Sequence, residues 1–468
     1  MCPDKMKTFL LIISCFACLT SWGTGPEKRP PDVVFIVIDT LRRDHVSCYN
    51  YNRPTTPELD KVAGEGARFD QAIAASSWTL PSVMSIFTSL PSSEHKLVDL
   101  VYCLPSALTT LAAEFKKAGY ATAGVTANPF TSGKFGFSRG FDFYDDLTVI
   151  QWGGDLLLGA EDPRQLRPQT APPSSDRVNQ VAVSWVKKRN RDQPVFLFLH
   201  YLDPHDDYIP PSPYNRQFID PAYDGKCSGF GIRSLVIPSL LPRDKQQLIG
   251  LYDGEIRFTD ECIGQLMGYL RASGLYDHAI TVIVADHGEE FWDHGGMIHG
   301  HSLYDELIRV PLIIRYPGKI TSGMVVKGQV SHLDIMPTVL DLAGLPIPAQ
   351  CQGKSLLSVI EGRGTLPVGR PAYMESFCLG KKLRGVRTSS QKIVEQLHDN
   401  RTLMFDLLGD PLEQHNLFGT ERAGEFAELN RQFGAWKQAV ATQTNSPVEQ
   451  AELSPRLRRQ LQSMGYAH

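Results

Sequence analysis

The stretch VADHGEEFWDHGGMIHGH, Val284 to His301, carries four of the thirteen histidines in the chain. Imidazoles, carboxylates and glycines at this density suit a divalent ion or a proton-transfer site. Asp286-His287-Gly288 follows a β-branched run, and its glycine lets the backbone turn sharply and approach an ion. A second apolar run, DVVFIVID, ends on Asp39. Asp39, Asp286 and His287 are the candidate metal ligands. Their two carboxylates and one imidazole suit one Mn²⁺ or Zn²⁺, with Ca²⁺ as the alternative. Asp39 taken alone reads equally well as a helix N-cap.

The third element is SSWTLPSVMSIFTSL, Ser76 to Leu90. Thr79 lies at the start of an expected helix, with Pro81 in the first turn, where proline is tolerated. Its plain role is a cap. Its chemical role is nucleophile. A hydroxyl at a helix N-terminus that also touches a cation has its ionised form stabilised by both. The neighbouring amides can hold an oxyanion.

These groups need a scaffold that gathers distant segments. The candidate strands are Asp32–Asp39, Thr122–Ala127, Val195–Tyr201, Ala279–Asp286 and Val310–Tyr316. Helical patterns at Leu108–Ala118, Asp176–Lys188 and Lys245–Ser273 alternate with them. Such alternation indicates an α/β domain with helices on both faces of a sheet. Functional groups in these sheets collect at the carboxyl ends of strands, where Asp39, His200, Asp203, Asp286 and His287 all fall. From about Leu345 short strands (AYMES, KLRGVRT, KIVEQL, TLMFDL) replace this rhythm. They predict a small antiparallel subdomain followed by helices at Ala423–Ala441 and Pro455–Met464. The Gly- and Pro-rich stretches Gln151–Ser175 and Pro210–Pro242 read as loops that shape a pocket.

At 468 residues the chain suits one large domain over 32–345 and a smaller part over 346–468. A net charge of -4 gives no case for nucleic acid as a partner. Residues 1–23 read as a signal peptide: lysines precede the apolar run Phe9–Leu19, which is too short to span a bilayer. Ile12-Ile13-Ser14-Cys15 resembles a bacterial lipobox, so a lipid on Cys15 is one alternative and simple cleavage near Gly23 the other. Either places the protein outside the cytoplasm, periplasmic or extracellular, with that lipid as its only membrane contact. Cys48, Cys103, Cys227, Cys262, Cys351 and Cys378 form no CxxC motif and leave room for one or two bridges.

Together these stretches resemble the sulfatase branch of the alkaline phosphatase superfamily. The matching pieces are IDTLRRDHVSCYNYNRPTTPELDKVAGEGARF, SWTLPSVMSIFTSLPSSEH, HYLDPHDDYIPP, LYDGEIRFTDECIGQLMGYL, VIVADHGEEFWDHG, HGHSLYDELIRVPLI and FDLLGDPLEQHNL. They stand in the family's order and cover most of Asp32 to Leu417. The resemblance implies a mixed central β-sheet sandwiched by helices, with a small C-terminal antiparallel α+β subdomain.

The departures bear on the chemistry. Family members with formylglycine chemistry have Cys or Ser, any residue, Pro, any residue, then Arg. Here that register reads Thr79-Leu80-Pro81-Ser82-Val83, and oxidation of threonine yields a ketone, not an aldehyde. Thr40 replaces the second acid after the first strand, and Ala127-Asn128-Pro129 lies where a lysine and a histidine are expected. Asp39, Thr79, Asp286 and His287 are instead similar to the single-metal site of phosphonate monoester hydrolases, phosphoethanolamine transferases and lipoteichoic acid synthases. Asp203 and His205 imitate part of the second metal site of nucleotide phosphodiesterases, but one ion is the expectation.

By this resemblance His299 or His301 contacts the transferring group or protonates the leaving oxygen, and HGHSLY leaves the choice open. His200, His205 and Asn128 are candidate substrate contacts; Asn128 and His95 also read as structural residues. His294 reads as a loop histidine, and Glu289 and Glu290 as acids of the surrounding turn. The implied activity is metal-dependent hydrolysis, or transfer, of a phosphodiester or phosphonate ester of a small molecule, glycan or lipid. The alternatives are a sulfuric ester hydrolase working without formylglycine and a non-catalytic binding protein on the same fold.

Overall fold

The computed structural model describes residues 29–146, 174–234, 240–378, 380–443, 448–455 and 458. The expected signal segment with Cys15, residues 151–173 of the first loop and most of the Pro455–Met464 helix lie outside the described residues. Among the described residues no helix is long and apolar enough to cross a membrane. All six cysteines beyond Gly23 are free thiols.

Apolar β-branched runs become the buried centre of a nine-stranded mixed sheet. Val33–Ile38 lies between Val195–Tyr201 and Ile280–Ala285 and is parallel to both. Ile38 stands beside Tyr201 on one side and Ala285 on the other. Asp39 and Asp286 therefore leave neighbouring strands at one level, and His200, opposite Val37, joins them. Ala121–Thr126 and Phe143–Asp145 extend the parallel part. Leu312–Arg315 pairs antiparallel with Ile280–Ala285 and makes the sheet mixed.

The expected strand Val310–Tyr316 is divided into Arg309–Val310 and Leu312–Arg315. Pro311 has no N–H to give the ladder, so the pairing breaks there. Ala67–Ile73 and Met324–Ser331 pair in parallel near the sheet's far edge. Their half-polar sequences carry no continuous apolar signal.

The helix Thr79–Thr88 is buried at every residue. Its apolar residues pack in the core, and its buried hydroxyls are spent on partners: Ser82 on the Asp286 carbonyl, Ser85 on His95 and Thr88 on the Met84 carbonyl. Phe87 meets Phe198 edge-to-face at 4.8 Å, with Phe35, Phe137 and Phe141 at 6.1–6.3 Å. This packing fixes the axis along which Thr79 is presented.

The C-terminal strands Ala372–Cys378, Lys381–Arg387, Gln391–Gln396 and Arg401–Asp406 form an antiparallel sheet. The helix Ala427–Gln443 covers it through Leu429 and Phe433. The sheet docks on the larger unit through buried charge: Lys392 meets Asp305 at 2.7 Å and Arg387 grips Asp305 at 2.9 and 2.8 Å, while Glu413 of the same C-terminal part shares Lys392 at 2.6 Å.

Phe87→Ala should destabilise the protein by about 3–5 kcal/mol through lost burial and an unfilled cavity. A urea-unfolding midpoint equal to wild type would show that the helix is not anchored by this cluster.

Candidate active site

Asp39 and Asp286 are fully buried. Oδ1 of Asp286 accepts from the backbone N–H groups of His287 and Thr40, at 2.8 and 3.2 Å. The Asp39 Oδ2 accepts from Asn128 Nδ2 and faces His200 Nε2 at 3.6 Å. The other oxygens, Asp39 Oδ1 and Asp286 Oδ2, have no hydrogen-bond partner. They lie 3.7 and 3.5 Å from His287 Nε2. Burial, then the facing Asp286, pushes the Asp39 carboxyl well above its ordinary range. Two buried carboxylates with unpaired oxygens turned toward one imidazole nitrogen are a site short of positive charge.

His287 is prepared to serve a cation. Its Nδ1 lies 2.9 Å from the Gly288 carbonyl, which can only accept. The ring proton is therefore on Nδ1, and the Nε2 lone pair faces the acids. Gly288 makes the turn possible: its N–H donates to the Leu307 carbonyl at 2.8 Å, and an added Cβ would run into the Glu306 carbonyl oxygen. Thr40 holds φ at 51°, which is costly for a β-branched residue. That conformation aims its N–H at Asp286.

Thr79 is the first residue of its helix, and Trp78 occupies the cap position. Because the cap residue is Trp78, the capping role expected of Thr79 falls to no hydroxyl. Instead Oγ1 lies 3.3 Å from His287 Nε2 and 3.5 Å from Asn128 Nδ2. Asn128 is oriented by its own Oδ1, which accepts from the Phe130 N–H at 2.8 Å and leaves Nδ2 facing the site. Asp39, Asp286, His287 and Thr79 thus converge, with oxygen and nitrogen donors that fit a small divalent ion.

The remaining histidines separate. The His299 ring lies 4.5 Å from that of His287 and 4.9 Å from that of His205. Its Nδ1 rests on the buried Glu289 carboxylate at 3.0 Å. Burial and the nearby His287 push His299 well down, and burial pushes Glu289 up. His301 stands away, its Nε2 taken by Glu290 at 2.6 Å and its side chain partly exposed. His200 is buried behind Asp39, with Nδ1 3.1 Å from Thr131 Oγ1, and burial pushes it to about 4. His205 has Nδ1 on the Asp206 carbonyl at 2.7 Å and an unpartnered Nε2. His95 bonds Ser85 and the Pro81 carbonyl, so it braces the Thr79 helix from behind.

Asp203 does not join the site. Its Oδ2 accepts from the backbone and hydroxyls of Ser174 and Ser175 at 2.7–3.2 Å. It anchors the start of helix Ser175–Lys188 and joins neither group of candidate ligands among the described residues. The second acid-and-imidazole group among the described residues is His205, Asp206 and His299, but Arg233 already grips Asp206 at 2.9 and 3.0 Å.

Sequence reasoning passed over Asp206, Arg233 and Arg42. Arg42 donates to the Glu289 carbonyl at 3.0 Å and pairs with Asp293, stitching the loop after the first strand to the histidine loop. Its position three residues beyond Asp39 was an available signal. Arg233 lies in a stretch without a readable pattern.

Residues 31–345 match the family model described as Sulfatase. Residues 293–438 match the one described as N-sulphoglucosamine sulphohydrolase, C-terminal. An N-acetylglucosamine-6-O-sulfatase of Bacteroides thetaiotaomicron is 25% identical, over 89% of this chain and 87% of the relative. A multifunctional alkaline phosphatase superfamily protein of Trinickia caryophylli is 25% identical, over 71% of this chain and 77% of the relative. The fold matches a phosphonate monoester hydrolase of Silicibacter pomeroyi at a TM-score of 0.70 and 23% identity, covering 87% of this chain and 95% of that one. A structure solved with its substrate D-glucosamine-2-N,6-O-disulfate matches at 0.71 and 23%, covering 90% and 99%.

Asp286→Asn should weaken binding of a divalent ion by more than the roughly 10–100-fold that loss of an outer-shell partner costs. Calorimetric titration of ion-stripped protein measures this, and an unchanged affinity would put the ion elsewhere.

Proposed function

Because this chain belongs to the sulfatase family of ester hydrolases, we propose that it cleaves phosphodiester- or phosphonate-type esters with Thr79 as the nucleophile. The observation that carries this reading is the Thr79 hydroxyl, at a helix N-terminus and turned toward His287 Nε2 at 3.3 Å. Asp39, Asp286, His287 and Thr79 would hold one divalent ion, manganese or zinc in preference to calcium, which wants more oxygen donors. When bound, that ion draws charge from a non-bridging oxygen of the substrate and favours the ionised form of an adjacent hydroxyl.

The chain's own groups do the rest. Oγ1 of Thr79 forms a bond to phosphorus as the bond to the leaving oxygen breaks. The Thr79 proton passes to His299 and from there to the leaving alcohol. Glu289 orients His299 and steadies its cationic form during the transfer. His299 suits this role better than His301 because its ring lies 4.5 Å from that of His287 with Nδ1 on Glu289, whereas His301 stands partly exposed on Glu290. Asn128 donates toward Thr79 and the reacting centre. A water, losing a proton to His299, then cleaves the Thr79 ester, and the same proton restores the hydroxyl. A second alcohol in place of water gives transfer. His200 supports Asp39, and His205 lines the far side.

Formylglycine chemistry is disfavoured by Thr79 itself, and Val83, wholly buried, brings no guanidinium. The substrate is a small-molecule, glycan or lipid ester met outside the cytoplasm. A second reading, a sulfuric ester hydrolase using Thr79 directly, is favoured by the N-acetylglucosamine-6-O-sulfatase relative. Sulfate and phosphate esters are close in shape.

Bis(para-nitrophenyl) phosphate and para-nitrophenyl phenylphosphonate should be turned over faster than para-nitrophenyl sulfate or phosphate, with Mn²⁺ or Zn²⁺ added. Sulfate as the sole good substrate would select the second reading. Thr79→Ala should lower kcat by about a thousandfold or more, with ion content close to wild type. A variant retaining most of its turnover would end the covalent mechanism.

A further inference from the structure

His294 takes no part in the proposed chemistry. It stands in the turn of the short hairpin that pairs Glu290–Phe291 with Met297–Ile298, between His287 and His299. Its ring lies flat on Tyr304, centroids 3.5 Å apart and planes 1° from parallel. Nδ1 meets the Glu306 carboxylate at 2.7 Å. Nε2 meets the carbonyls of Leu412 and Glu413 at 3.1 and 3.2 Å. Carboxylate and carbonyl oxygens only accept, so both contacts are hydrogen bonds only when each ring nitrogen carries a proton.

The groups that contact the ring are negative or neutral, and the further cation Arg401 lies beside Tyr304. Glu290 accepts the His294 N–H at 3.0 Å and gives its other oxygen to His301. Glu306 and Asp305 come from the short helix Asp305–Ile308. The segment after Asp410 brings Glu413 and Gln414. The Gln414 amide nitrogen, 3.4 Å from Nε2, also donates to the Leu412 carbonyl at 2.9 Å and faces that of Asp293 at 3.4 Å. The nearby cations Lys392 and Arg387 are spent on Asp305 and Glu413. Burial alone would lower the imidazole pKa; Glu306, then Glu413, outweighs it and raises it above the ordinary value.

We propose that His294 is a positioning residue held as an imidazolium, stapling the histidine hairpin to the Leu412–Glu413 segment and so fixing His299 against His287. The role of His299 rests on the function proposed above; the charge state of His294 does not. A raised folded pKa means that the staple is fully made at low pH and is lost as pH rises through that value. Turnover should therefore fall on this alkaline limb.

Two measurements test the proposal. Nitrogen NMR of histidine-labelled wild-type protein, assigned with His294→Gln, should show both His294 nitrogens mostly protonated at pH 6.5, the ordinary value. Half-titration should lie above the ordinary 6.5; half-titration below it would overturn the staple. His294→Gln should lower kcat by about tenfold, within the range for loss of an outer-shell partner, with KM and ion content little changed. It should also remove the alkaline limb that coincides with the His294 titration. Wild-type kcat with an unchanged pH profile would overturn the positioning role. If Thr79→Ala stays active, the covalent chemistry falls while the NMR result stands; a neutral His294 leaves the chemistry of Thr79 intact.

Discussion

Two carboxylates, Asp39 and Asp286, are buried face to face with one oxygen each left unpaired. Isolated buried charges of one sign are among the most costly arrangements a fold can hold. The surroundings are organised around that cost. Backbone amides of Thr40 and His287, the Asn128 amide and the His287 imidazole all converge on these acids. None of those contacts supplies a full compensating charge, and a cation bound by Asp39 Oδ1 and Asp286 Oδ2 would. The sheet register places both acids on adjacent parallel strands, so the demand follows from strand pairing itself.

The same demand explains several local irregularities. Thr40 accepts a left-handed backbone, and Gly288 turns where no side chain fits. Thr79, one residue inside the helix start, points its hydroxyl at His287 instead of back along its own backbone. Strained or unspent groups of this kind concentrate where function needs them. The buried helix behind Thr79 and the aromatic cluster at Phe87 supply the rigidity that holds the hydroxyl in place.

The C-terminal sheet belongs to the same design. Its buried Lys392 and Arg387 hold Asp305, and the Glu413 segment holds His294. These contacts bracket the loop that carries His299. Arg42 secures the same loop from the opposite side. A residue far along the chain can therefore alter the pocket without touching it.

Much of this was legible in the residues. Continuous β-branched runs ending in Asp39 and Asp286 predict parallel buried strands with acids at one rim, because apolar runs must be covered on both faces. Residue type and placement singled out Asp39, Asp286 and His287 as ligands and Thr79 as a hydroxyl at a helix start; their joint single-metal pattern came from the family resemblance. The divided strand at Pro311 and the half-polar edge strands were less readable, since their pairing depends on partners distant in sequence. The choice between His299 and His301 was closed to the sequence altogether. Both imidazoles follow the hairpin, one residue apart, and only the packed acids Glu289 and Glu290 separate them. Asp203 likewise sits beside His205 in the chain, yet its carboxylate is drawn to a helix start. Residue order thus determined which chemical groups the protein owns and which strand ends carry them. Tertiary structure alone decided which of those groups remain unspent, because a hydrogen bond or ion pair to a distant partner removes a group from chemistry and leaves no trace in the local sequence.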